Sequence, residues 1–172
     1  INPDEHSEVV EHIIRARNNF QDNFGADLNE YVEFFNEEEY LFHSSIAENL
    51  TFGSPNNKRF SADNLLTNDK FLDFLNQADL NRPLLALGAE LTQHTVDILG
   101  NLPPEPVFFE QSPIFPEELD FFKGLASRLH KTKLHQLLSE DKEKLMALAL
   151  RYTPGRHKMT TFPAMLEKLI LE

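Results

Sequence analysis

Arg82–Gly100 reads R-P-L-L-A-L-G-A-E-L-T-Q-H-T-V-D-I-L-G, and its periodicity decides the fold class. Leu84, Leu87, Leu91, Thr95 and Ile98 return every three or four residues, which places them on one face of an α-helix. Pro83 suits a first helical turn, where its missing N–H costs little, and Gly100 marks the stop. The same period recurs on both sides. Upstream, Phe71, Leu72, Phe74, Leu75 and Ala78 follow the capping pair Asn68-Asp69. Downstream, Glu117-Glu118 open a helix through Leu119, Phe122, Leu125 and Leu129. Ser139, Glu140 and Asp141 open the next, with Leu145, Leu148, Ala149 and Tyr152 on its buried side, and Pro154-Gly155 end it. Acids in these first turns face the positive end of the helix dipole. Ala164 to Leu171 makes a last helix.

Nearer the N-terminus, Asn2-Pro3-Asp4-Glu5 reads as a helix start, with Val9, Val10, Ile13, Phe20 and Phe24 at helical spacing and Gly25 as the stop. Asp27 to about Phe35 predicts a second short helix presenting Leu28, Tyr31, Val32 and Phe35. Ser54–Asn57 reads as a turn, and Ser61–Asp63 as the cap of a short helical piece. Among Pro103, Pro104 and Pro106, Val107-Phe108-Phe109 is the best candidate for an extended segment. No stretch alternates as a half-buried sheet strand must. The expectation is an all-α fold of about eight helices with little or no strand, in a single domain over 1–172.

The 172 residues carry a formal charge of −12 and no Cys or Trp, while 15 Phe supply the core. A hydrophobic share of 41% marks a folding chain, not a disordered one. The negative charge argues against nucleic acid or an anionic membrane surface as partner, because both are polyanions. Without Cys there is no disulfide framework, thiolate nucleophile or Cys-type zinc site, which fits a reducing compartment. No apolar run is long enough to span a bilayer, so direct membrane insertion is not expected. The chain opens on Ile1 and reads as a fragment or inserted domain of a larger protein.

Tyr40–Gly53 reads Y-L-F-H-S-S-I-A-E-N-L-T-F-G. Physically it is an aromatic anchor feeding a short helix. Tyr40, Leu41 and Phe42 supply bulk, Ser45 and Glu48 have capping-box spacing, and Gly53 sits where a left-handed residue ends a helix. In residue order the stretch resembles the segment after the Q-loop of ABC transporter ATP-binding domains, F-L-F-x-x-[ST]-I-x-E-N-[IL]-x-[FY]-G. The resemblance implies a section of such a protein with a long helical insertion. In that family the segment lies beside the contact with the transmembrane coupling helices, which makes Leu41, Phe42, Ile46 and Asn49 candidates for a partner contact. Where the family has the Q-loop Gln, three residues before the aromatic, this chain has Glu37. Nothing matches G-x-x-x-x-G-K-[ST] or L-S-G-G-Q, and the apolar run Leu84–Leu87 ends in Gly88-Ala89-Glu90 instead of an Asp-Glu pair. No nucleotide, other cofactor or metal is therefore expected on this chain alone.

Other motifs are weaker. His130 and His135 are five apart across a helix break and His6 and His12 are six apart, whereas two ligands on one helix face need a spacing of four. No G-x-S-x-G or other nucleophile arrangement is present. Arg151, Arg156, His157 and Lys158 gather around Pro154-Gly155; they offer an anion or partner contact, or simply complement a helix C-terminus for about 0.3–1 kcal/mol. The pairs Phe34-Phe35, Phe108-Phe109 and Phe121-Phe122 offer either core or contact surface. The sequence thus points to a non-catalytic helical accessory or regulatory domain of an ABC-type transporter ATPase. It would be cytoplasmic, at the inner face of a membrane, with other domains or subunits of the transporter as partners. The alternative is a free-standing helical adaptor for a protein or peptide. In either case Arg156, His157 and Lys158 join Leu41, Phe42, Ile46 and Asn49 as partner-binding candidates, and no catalytic residue is assigned.

Overall fold

A computed structural model describes residues 6–28, 31–34, 36, 38–53, 62–103, 105–158 and 160–172. Among them are eight α-helices and no strand: α1 (Ser7–Leu28), α2 (Ile46–Leu50), α3 (Asp69–Gln77), α4 (Asn81–Leu99), α5 (Pro106–Phe109), α6 (Leu119–Leu129), α7 (Ser139–Arg151) and α8 (Ala164–Leu171). The all-α expectation holds. The chain, read above as one domain, divides into two compact units, Ile1–Asn36 and Glu37–Glu172.

The second unit is organised around α4, which packs along both α7 and α6. Its buried face carries Leu84, Leu87, Leu91, Thr95 and Leu99, and the first three share one buried cluster with Leu125 of α6 and with Leu145, Leu148 and Ala149 of α7. Full burial of a Leu side chain stabilises by about 1.5–3 kcal/mol, so this seam dominates the energetics of the unit. Gly88 sets how close the helices come: a Cβ there would sit 2.7 Å from the carbonyl carbon of Leu145. On α3, Phe71 and Leu75 are buried, and the Asn68 side chain caps the helix by accepting from the N–H groups of Lys70 and Phe71.

Four local expectations change. Val107-Phe108-Phe109 is not extended; it forms α5, one turn with Pro106 in its first position and only Phe109 buried. A run of three cannot report a period, and Pro106 is as well suited to a helix start as to a break. Ile98 points outward, 56% exposed, while Leu99 is buried with Phe109 and Leu119 in a small satellite cluster. Gly25 does not end α1, which continues to Leu28. Among the described residues of the helix expected over 27–35, Asp27 and Leu28 end α1 and residues 31–34 are not helical; the N–H groups of Tyr31 and Val32 both donate to the Leu28 carbonyl. The start at Asn2–Glu5, the turn at Ser54–Asn57, Ser61 and Phe35 lie outside the described residues.

Candidate interaction site

Two stretches singled out by sequence, Tyr40–Gly53 and Arg151–Lys158, meet on one surface of the second unit. The first is locally self-sufficient. Ser45 caps α2 with extended backbone; its Oγ accepts from the Glu48 N–H at 3.2 Å, and Glu48 Oε2 accepts from the Ser45 N–H at 2.8 Å. Both halves of the capping box are thus formed. Asn49 reads the preceding peptide as a strand partner would: Oδ1 accepts from the Leu41 N–H at 2.9 Å, and Nδ2 donates to the Leu41 carbonyl at 3.0 Å. Gly53, with φ of 97°, closes the end by donating its N–H to the Glu48 carbonyl. A side chain is strained in that left-handed region, which explains the glycine.

Two backbone bonds join this motif to the second stretch. The Ile46 N–H donates to the Tyr152 carbonyl at 3.0 Å, and the Gly155 N–H donates to the Phe42 carbonyl at 2.7 Å. Gly155 is needed for the approach, since a Cβ would lie 2.7 Å from Nδ1 of His43 and 2.8 Å from the Phe42 carbonyl oxygen. Rings fill the junction. Tyr40 lies 4.7 Å from Phe162 and 5.3 Å from Phe42, and Tyr152 lies 5.9 Å from His157, centroid to centroid.

The candidate residues divide by burial. Ile46 is fully buried and His157 is 7% exposed, so both serve the core of the junction. Leu41 and Asn49 are half-buried, with Asn49 committed to Leu41. Phe42 is 40% exposed, and Arg156 and Lys158 are exposed. Arg156 Nη2 donates to the Glu110 carbonyl at 3.3 Å. A partner meeting this surface would touch Phe42, Arg156 and Lys158.

The junction has a definite charge state. His157 Nδ1 accepts from the Thr153 N–H at 3.0 Å, which requires that nitrogen to be unprotonated. Burial, with the nearby Arg156 and Arg151, lowers the His157 pKa to about 4. Burial also raises the pKa of the Tyr152 hydroxyl, which donates to the Thr160 carbonyl at 3.0 Å. Both groups are neutral near pH 7. They build the junction; neither is poised for proton transfer.

Two further surface features lay beyond the sequence reading. On α1, Val9, Ile13, Ile14, Phe20 and Phe24 are each 46–56% exposed, an apolar stripe where core residues were expected. In the second unit, a cleft of about 530 Å³ opens between Ala89, Glu90 and Gln93 of α4 and the segment from Leu129 to Leu134. Hydrophobic period could not reveal the cleft, because the middle of α4 forms it with the end of α6 and the loop that follows. Among the described residues no group of three or more His, Asp or Glu could hold a metal ion, and no helix is long and apolar enough to cross a membrane. Comparison with known protein families, curated proteins and solved structures finds no match to this chain.

Proposed function

We propose that this chain is a non-catalytic helical accessory domain of an ABC-type transporter ATPase, acting at the cytoplasmic face by binding other parts of the transporter. The residue order of Tyr40–Gly53 carries the reading. Its fold adds support: a fully capped α2 leaves Phe42 on the surface, next to the Gly155 turn that leads into Arg156. A family motif retained without a P-loop suits a domain that couples or regulates rather than hydrolyses. The test is the reading frame flanking this chain in its native gene. A P-loop upstream and an L-S-G-G-Q signature downstream are expected, and a frame lacking both refutes the reading. A nucleotide titration checks the non-catalytic half of the claim; ATP binding by the isolated chain would overturn it.

The α1 stripe favours a second reading, a helical adaptor. Large apolar side chains at i, i+4, i+11 and i+15 (Val9, Ile13, Phe20 and Phe24) share one face of a 22-residue helix, the form in which a helix presents itself to a protein groove. Binding of partner proteins that survives in a chain lacking the transporter context, and that Phe20→Asp abolishes, is the outcome this reading requires.

A further inference from the structure

The charge of this protein is unevenly spread. Positions 123–158 hold nine Lys and Arg against three Asp and Glu, whereas the rest of the chain holds seven against 25. Two of those cations, Lys131 and Lys133, line the cleft beside α4. His130, Lys131 and Lys133 stand exposed on its rim, and Leu129, Leu134 and Ala89 are half-buried along it. Neither Lys131 nor Lys133 forms an ion pair among the described residues, while Arg128 and Arg151 are tied to Asp141 and Glu118. The Glu90 carboxylate, the one acid lining the cleft, accepts from the Thr160 hydroxyl. The cleft therefore combines uncommitted cations with an apolar lining.

We propose that this cleft is a docking site for an acidic peptide segment that also carries an apolar side chain. Carboxylates would meet the ammonium groups of Lys131 and Lys133, and the apolar residue would sit against Leu129, Leu134 and Ala89. In a chain of net charge −12, most of the surface repels such a peptide, so attraction is confined to this region and fixes where it lands. The inference rests on the reading of the chain as an interaction domain and names the chemistry of one partner. It is independent of the flanking-gene test, because a cleft that binds acidic peptide would do so whether or not the chain belongs to a transporter.

The experiment is fluorescence anisotropy on the whole chain with a labelled twelve-residue peptide of alternating Glu and Leu, beside a Lys–Leu peptide of equal length. Binding of the Glu–Leu peptide alone is expected, weakening several-fold when salt is raised from about 0.05 to 0.5 M, as ion screening requires. Lys131→Glu with Lys133→Glu should weaken it at least tenfold. Gln93→Trp, which fills the cleft without changing charge, should do the same, while Arg82→Glu with Lys168→Glu, distant in sequence from the cleft loop, should leave it within twofold. Circular dichroism confirms that each variant is folded. Equal binding of both peptides, indifference to the Lys131/Lys133 pair, or displacement by inorganic phosphate as readily as by unlabelled peptide would each overturn the proposal. A chain that pairs through this cleft with the acidic surface of a second copy, seen as a salt-sensitive dimer competing with the peptide, would overturn it too.

Discussion

Gly88→Ala isolates the contact on which the second unit depends. The new Cβ would lie 2.7 Å from the Leu145 carbonyl carbon and 3.0 Å from its Cα. Comfortable carbon–carbon contact is about 3.5–4.0 Å, so α4 and α7 would have to part by roughly 1 Å. The obstacle is helix backbone, which has no rotamer to escape into. A gap of that size forfeits about a quarter to a half of each dispersion contact along the seam. Overpacking of this kind costs about 1–3 kcal/mol. Against it stands a gain of up to about 1 kcal/mol from replacing a helical Gly by Ala. The net expectation is a loss of about 1 kcal/mol. With a urea slope of about 1–3 kcal/mol per molar, the unfolding midpoint should fall by about 0.5 M. The control is the same substitution at Gly124 in α6, whose Cβ would meet only the flexible end of Arg128 at 3.4 Å. That variant should gain about 0.5–1 kcal/mol, leaving only the propensity effect. Urea melts followed at 222 nm measure both. A Gly88→Ala midpoint equal to or above that of the parent would refute the close-packing argument.

Ile46→Ala should cost about 2–5 kcal/mol, because a fully buried side chain is removed, whereas Phe42→Ala, 40% exposed, should cost under half as much; equal losses in urea melts would mean that Phe42 is also core. Arg128→Met removes two charge-assisted bonds, at 3.0 and 2.7 Å, from the buried Asp141 carboxylate and should cost roughly 1.5–3 kcal/mol by the same assay, with no change counting against a role for the pair in holding α6 to α7. His157 has a folded pKa of about 4 against an ordinary value of 6.5, so the unfolded chain binds more protons between those values. Its stabilisation is complete above pH 6.5 and is lost as pH falls toward 4, by no more than roughly 3 kcal/mol. His157→Asn should flatten the pH dependence of stability between 6.5 and 4, and an NMR titration placing His157 near 6.5 would refute the assignment.

The fold was legible wherever a helix was long enough to show its period and bounded by residues with a capping reason. Asn68 before α3, the acids opening α6 and α7, and Pro154-Gly155 after α7 are of that kind, and the structure follows them. Periodicity reports that a helix has an apolar face but not what covers it. Val9, Ile13, Phe20 and Phe24 follow the same helical period as Leu84, Leu87 and Leu91, yet the first set is about half exposed and the second buried. The difference lies in tertiary packing, which a one-dimensional pattern does not encode. Likewise Ile98 and Leu99 flank the same stripe of α4, and only the satellite cluster with Phe109 and Leu119 selects Leu99.

The candidate site divides along the same physical line. Ser45, Glu48 and Gly53 act on their own neighbours, so their roles could be read from spacing alone and all three are observed. Asn49 also acts within the segment, but through a side-chain bridge to Leu41 that spacing does not announce. His157 shares a basic run with Arg156 and Lys158, and composition assigns the three together. The structure separates them because the Thr153 N–H needs an acceptor inside the junction, and an imidazole can accept where guanidinium and ammonium cannot. The same logic bears on the family-like stretch. Capping, the Asn49 bridge and the left-handed Gly53 account physically for four of its fixed residues, but none requires an aromatic at position 42 to remain 40% exposed. Phe42, together with Phe52 at 84% exposed, is therefore where a role beyond the fold should be sought first. If the proposed transporter reading is right, a variant there should keep most of the stability while losing contact with the proposed partners; retained contact would leave the stretch explained by local physics alone.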